Sequence, residues 1–308
     1  MFVALRPLLI LLCVSTFAKC AQAQGMEVED RGAASFDKLV DVGGGRRLHI
    51  NCSGMNFERS PTLVLESGAG NDSTVWKSVQ PKVAKFTRVC SYERAGLGSS
   101  DPVPALRTIV ALTEELHTLL VNAKVTGPYI LVGHSLGGIL SRLYSSYYPA
   151  EVVGMVLVDS AHEDEPDRGL ALMPPDMLKE MFKQAKPEDL VVQTAERIDG
   201  CSIRTLMNAL NWRSDIPLIV LTQGRPYGPE MVAVPSMAPK AYELHLALQR
   251  DLVQRSSRGR QVIAKKSGHG IHQDQPELVI DAIRQLINEV KTTAPGRRQS
   301  HPARQGRK

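Results

Sequence analysis

The chain has 308 residues, 43% of them apolar and 22% charged, a composition that suits a large globular domain and excludes a disordered or fibrous chain. Its formal charge of +5 sits at the ends, because residues 291–308 hold Lys291, Arg297, Arg298, Arg304, Arg307 and Lys308 without a single acid. Once this tail and the basic residues Arg6 and Lys19 are set aside, the body is mildly acidic, which argues against nucleic acid as its partner.

The first stretch, "MFVALRPLLILLCVSTFAKCAQAQ", pairs an early arginine with an apolar run over Pro7–Ala18 and an Ala21-Gln22-Ala23 site. That pattern predicts a secretory signal over residues 1–23, cleaved on export to a periplasmic or secreted destination. The apolar run is too short for a resident span, so no stable membrane insertion is expected after cleavage. Cys52, Cys90 and Cys201 then remain. At most one disulfide can form among them, which export permits. No C-x-x-C pair points to a metal, and no cofactor is expected.

Eight short β-branched runs follow in chain order: "KLVDV", "RRLHINC", "TLVLES", "RVCSY", "YILVGH", "GMVLVDS", "PLIVLT" and "RQVIAK". "GGG" between the first two predicts a hairpin, and helix-length stretches between later ones predict parallel crossovers. "LRTIVALTEELHTLLVNA" places Leu106, Ile109, Val110, Leu116 and Leu120 on one helical face. In "DQPELVIDAIRQLINEV", Asp274 and Glu277 have capping-box spacing and Pro276 falls in the first turn. Residues 160–216 contain no convincing strand, and a loop of that length needs structure of its own. The expected organisation is an α/β core of 34–159 and 217–290, a helical cap of 160–216, and a basic disordered tail from 291. The Met-rich "LALMPPDMLKEMF" of the cap suits either a hydrophobic acyl site or the cap's own core.

Gly133-His134-Ser135-Leu136-Gly137 lies between the strand "PYILV" and the helical "GGILSRLYSSYYP". A G-x-S-x-G turn in that context lifts a serine hydroxyl clear of the sheet, making Ser135 the candidate nucleophile, with the Leu136 N–H aimed at a developing oxyanion. A hydroxyl needs a base. "KKSGHGIHQDQ" after the last strand offers His269 and His272, and His269 is favoured by its place directly behind the Ser-Gly turn. The candidate orienting acid is Asp159, at the end of "GMVLVDS", with Glu163, Asp164 and Glu230 as competitors, since "PLIVLT" ends without an acid. The Gly68-Ala69-Gly70 turn supplies a second oxyanion donor, Ala69 N–H. Glu66 beside it would oppose an oxyanion, so a pairing with Arg94 is expected.

The stretches "PTLVLESGAGNDSTVW", "TRVCSYERAGLGSSDP", "GPYILVGHSLGGILSRLYSSYYPAEVVGMVLVDSAHED" and "SGHGIHQDQPELVIDAI" resemble the α/β-hydrolase fold superfamily, and within it the bacterial exported serine hydrolases. The resemblance implies a mostly parallel eight-stranded sheet in the order 1-2-4-3-5-6-7-8, flanked by helices, with a helical cap inserted between strands 6 and 7. It implies Ser135 as nucleophile and His269 as base, and it makes the second and fourth strands neighbours, which is compatible with a Cys52–Cys90 bridge. The chain departs from many relatives in carrying Glu66-Ser67-Gly68 where they have His-Gly. The expected activity is a carboxylesterase-like serine hydrolase taking a small-molecule acyl substrate through an acyl-enzyme. The alternatives are an acyltransferase or perhydrolase, or a prolyl aminopeptidase-like amidase, using the same triad, and outside catalysis a ligand-binding receptor.

Overall fold

The computed structural model describes residues 35–55, 60–184, 195–210, 212, 214–228 and 234–293. The expected leader, Glu230 and the tail from 294 lie outside them. The chain runs β1 (Phe36–Asp41), β2 (Arg47–Ser53), β3 (Thr62–Glu66), α1 (Gln80–Val83), β4 (Val89–Tyr92), α2 (Ile109–Asn122), β5 (Tyr129–His134), α3 (Leu136–Tyr147) and β6 (Val152–Val158). It continues with α4 (Glu165–Leu170), α5 (Pro175–Gln184), α6 (Cys201–Leu210), β7 (Leu218–Gln223), α7 (Ala238–Gln254), β8 (Gly259–Ala264), α8 (Ile271–Asp274) and α9 (Pro276–Thr293). The eight strands form one sheet in the order β1-β2-β4-β3-β5-β6-β7-β8. β1–β2 and β2–β4 are antiparallel and every later pair is parallel.

Period-two alternation divides the central strands between two cores. Val64, Leu131, Met155, Leu157, Leu218 and Val220 join the core that meets α2, α3 and α7. Leu63, Leu65, Ile130, Val132, Val156, Val158, Ile219 and Leu221 join the core that meets α1, α8 and α9. Both faces are therefore covered, as a parallel sheet with crossover helices requires.

Some local expectations shift. α2 begins at Ile109 because Thr108 caps it, its hydroxyl accepting from Ala111 N–H at 3.3 Å. Leu106 consequently lies before the helix and is exposed, while Leu112 and Leu119 join the buried face. The Asp274–Glu277 capping box does not form. Asp274 closes α8 and accepts from Gly268 N–H and Arg225, Glu277 pairs with Lys82, and Pro276 opens α9. α9 also runs through Thr293, so Lys291 belongs to the helix and not to a disordered tail. Cys52 and Cys90 face each other across β2 and β4 and are bonded.

Candidate active site

Ser135 sits where β5 hands over to α3, with its backbone at φ 54° and ψ −121°. Such a conformation is strained for a residue with a Cβ and persists only where neighbours over-determine it. Here the Ser135 N–H donates to Val158 C=O at 3.3 Å, and the Ser135 carbonyl accepts from Gly138 and Ala161 N–H at 2.9 and 3.0 Å. The flanking glycines admit the crossing: a Cβ on Gly133 would lie 2.4 Å from the Gly137 carbonyl oxygen, and one on Gly137 2.3 Å from that of Glu66.

Asp159 follows β6 directly and also takes a positive φ, 44°. Its N–H donates to Leu221 C=O at 2.7 Å, which turns the buried carboxylate toward the end of β7. Oδ2 meets His269 Nδ1 at 2.7 Å, while Oδ1 accepts from Gln223 N–H at 2.8 Å and from His245 Nε2 at 3.0 Å. Burial pushes the Asp159 carboxyl upward, but the hydrogen bonds from His245 and His269 outweigh it and hold the group below the ordinary carboxylate range. It is an anion at neutral pH.

Ser135, Asp159, His245 and His269 share the wall of one cavity of about 350 Å³, together with Glu165 and Tyr227. Burial raises the Glu165 carboxyl, partly opposed by His245. No described residue of the Met-rich stretch 170–182 lines this cavity, which Gly169 reaches just before it, so Met173 and Met177 do not form an acyl site there.

His134 and His272 stand behind His269, their rings 4.6 and 4.3 Å from neighbours in the row His269–His134–His272. His134 Nε2 lies 3.1 Å from the His269 carbonyl oxygen. A carbonyl only accepts, so this nitrogen carries the hydrogen and fixes the tautomer. His272 packs against Trp76, ring centroids 4.8 Å apart. Burial, reinforced by the neighbouring imidazoles, lowers His134 to about 3 and His272 to about 4. Both are neutral groups packed behind His269, and of His269 and His272 it is His269 that reaches the acid.

The other acid candidates are engaged elsewhere. Glu163 pairs with Arg142 at 2.8 Å and with Arg255. Burial works against its charge, yet those guanidiniums hold its carboxyl at about 2. Asp164 meets Arg204 at 3.2 Å.

Leu136 opens α3, where a backbone N–H has no intrahelical acceptor. The Gly68-Ala69-Gly70 turn lies beside the elbow, since a Cβ on Gly68 would fall 3.2 Å from Ser135 Cβ. Arg94 holds that turn. Its guanidinium pairs with Glu66 at 2.5 Å, as expected, and donates to the carbonyls of Ser67 and Gly68 at 2.8 and 2.6 Å. It also pairs with Glu196 at 2.5 Å, and Gly70 N–H donates to the other Glu196 oxygen at 2.6 Å. Tyr92 O–H donates to Glu66. Burial raises the Glu66 carboxyl, with Arg94 opposing.

Two residues of this constellation carry no sequence motif, Glu196 and His245. Glu196 is an isolated acid between helices. His245 had one readable sign, its place on the stripe with Leu248 and Leu252 that α7 buries, where an aliphatic residue is the ordinary occupant.

Residues 63–282 match the alpha/beta hydrolase family. An uncharacterized protein of Bacillus subtilis, YqjL, is 28% identical over 222 residues, covering 72% of this chain and 81% of the relative. An uncharacterized vacuolar membrane protein of Saccharomyces cerevisiae is 33% identical over 140 residues, but the match covers 41% of this chain and only 22% of that protein. A thermophilic esterase from Thermogutta terrifontis, solved with malate bound, superimposes with a TM-score of 0.57 at 19% identity, covering 84% of this chain and 99% of the other.

Proposed function

The chain belongs to the alpha/beta hydrolase family, and from that premise we propose that it is a serine hydrolase cleaving carboxylic esters or related acyl compounds. Ser135 Oγ attacks the acyl carbon while His269 Nε2 takes the hydroxyl proton. Asp159 holds the His269 Nδ1–H and stabilises the imidazolium that forms. The tetrahedral oxyanion is met by the N–H groups of Leu136 and Ala69. Collapse expels the alkoxide, which leaves with the proton from His269. Water then repeats the two steps on the acyl-enzyme and releases the acid and free Ser135.

One observation carries this reading: a serine on a strained elbow opens into the same cavity as an imidazole whose far nitrogen is 2.7 Å from a buried carboxylate. The chain order Ser135, Asp159, His269 is also the order in which this fold supplies a triad. A fluorophosphonate probe should label the wild-type protein and not Ser135→Ala; labelling of both, or of neither, rejects the assignment. Product analysis in a water–alcohol mixture separates hydrolysis from acyl transfer. Export belongs to the same proposal and is supported by the Cys52–Cys90 bond, a linkage that lasts in oxidising compartments. Intact-mass measurement of the mature protein should place its first residue at 24.

A further inference from the structure

The Asp159 carboxylate serves two imidazoles where the proposed reaction uses one. Its oxygens are filled unequally: among the described residues Oδ2 meets His269 alone, whereas Oδ1 takes Gln223 N–H at 2.8 Å and His245 Nε2 at 3.0 Å. A carboxylate oxygen is an acceptor, so His245 Nε2 must carry the hydrogen. His245 arrives from α7, is 3% exposed, and has its Nδ1 buried without a hydrogen-bond partner among the described residues. An imidazole with one ring nitrogen unsatisfied is an expensive way to fill an apolar stripe, because a buried polar group without a partner is penalised. Its retained bond to Asp159 is the feature that a leucine at this position would lack.

We propose that His245 is a positioning residue for the reaction, resting on the serine-hydrolase reading above. By occupying Oδ1 together with Gln223 N–H, it stops the carboxylate from rotating and leaves Oδ2 aimed at His269 Nδ1. Asp159 is itself the first residue past β6 and takes a positive φ, 44°, so the strand does not fix its carboxylate and the clamp does. The groups facing His245 are Asp159, the Glu165 carboxylate 4.0 Å from Nδ1, and the Tyr227 ring 5.5 Å away. Burial works against its protonation, but the bond and charge of Asp159, then Glu165, hold it above the ordinary histidine value. Either protonation state keeps the Nε2 hydrogen, so the clamp does not depend on pH.

Two substitutions in the full-length protein separate this role from packing. His245→Gln can place an amide N–H near the Nε2 position, and His245→Leu removes the donor. With p-nitrophenyl acetate, His245→Leu should lower kcat roughly 10- to 100-fold with KM changed less than about threefold, the scale at which misplaced catalytic groups are felt. His245→Gln should recover most of that loss. The downfield proton resonance of His269 Nδ1–H should move in His245→Leu and stay near its wild-type position in His245→Gln, a readout that needs no turnover. If His245→Leu does not fold, His245→Phe fills the ring volume without a donor and replaces it. A folded donor-free variant with wild-type kcat, an unmoved resonance, or a rise in KM alone would overturn the proposal, the last because it marks a substrate contact. Fluorophosphonate labelling of the wild type that is lost in Ser135→Ala keeps the parent reading standing whichever way the His245 variants fall.

Discussion

Arg94→Ala tests the loop beside the Ser135 turn most severely. Arg94 is 3% exposed and joins two buried carboxylates, Glu66 and Glu196, at 2.5 Å each. Removing one partner of a buried ion pair costs about 3–5 kcal/mol. Protonation limits the damage, since neutralising a carboxyl of ordinary pKa at pH 7 costs about 3.7 kcal/mol. The carbonyls of Ser67 and Gly68 also lose donors, at about 1 kcal/mol each. The expected loss is about 5 kcal/mol, as large as the whole stability of a marginal domain. Glu66→Gln keeps the Arg94–Glu196 pair and an acceptor for Tyr92, and should lose about 1–2 kcal/mol. Urea unfolding followed by the fluorescence of the buried Trp76 measures both. The pH dependence adds a sign. Glu66 has a folded pKa raised by burial, and without Arg94 it rises further. A raised acid penalises the fold only above its unfolded pKa, so the Arg94→Ala deficit relative to wild type should shrink as pH falls from 7 to 5, by up to about 1.4 kcal/mol per unit. A larger loss in Glu66→Gln, or a deficit indifferent to pH, refutes the reasoning.

Gly68→Ala would put a Cβ 2.9 Å from His134 Nδ1 and 3.2 Å from Ser135 Cβ; it should cut kcat about 10- to 100-fold while moving the urea midpoint little, and a silent substitution would place the turn farther from the elbow. His134 and His272 are neutral when folded, with values of about 3 and about 4. Their contribution is complete above the unfolded histidine pKa of about 6.5 and is lost as pH falls toward those lower values, at up to about 1.4 kcal/mol per unit for each. His272→Phe should flatten that slope in unfolding titrations, and an unchanged slope would count against buried neutral imidazoles. Glu165 lines the cavity beside Ser135 and His269, so an ester with a carboxylate in its acyl chain should have kcat/KM roughly tenfold below its neutral analogue, as like charges at such range imply. Glu165→Gln should close that gap, and an unaltered ratio would remove Glu165 from substrate selection.

The parts of this molecule that were readable in the sequence are the locally encoded ones. Eight β-branched runs became eight strands because alternating side chains face two cores, and the G-x-S-x-G turn is visible since its glycines, strand and helix are contiguous. Boundaries moved where a cap decided them, as at Thr108, or where a proline restarted a helix, as at Pro276. The acid was harder. Asp159 competed with Glu163 and Asp164 within five residues, and only packing sends the latter two to Arg142 and Arg204. Glu196 was not readable, and His245 showed only as a polar residue on a buried helical stripe, because their roles arise from contacts with residues 102 and 86 positions away.

The helices between β6 and β7 are anchored at both of the site's working ends. The chain enters them directly from Asp159, and Glu196 returns from them to grip Arg94 and Gly70 N–H. Transplanting this stretch wholesale from a relative would strip Arg94 of one carboxylate and disturb the chain leaving Asp159, so the proposed activity should not survive the graft. Divergence toward new substrates is then channelled into single exchanges at wall positions such as Ala161, Gly169 and Leu244, which reshape the chamber and leave its two moorings in place.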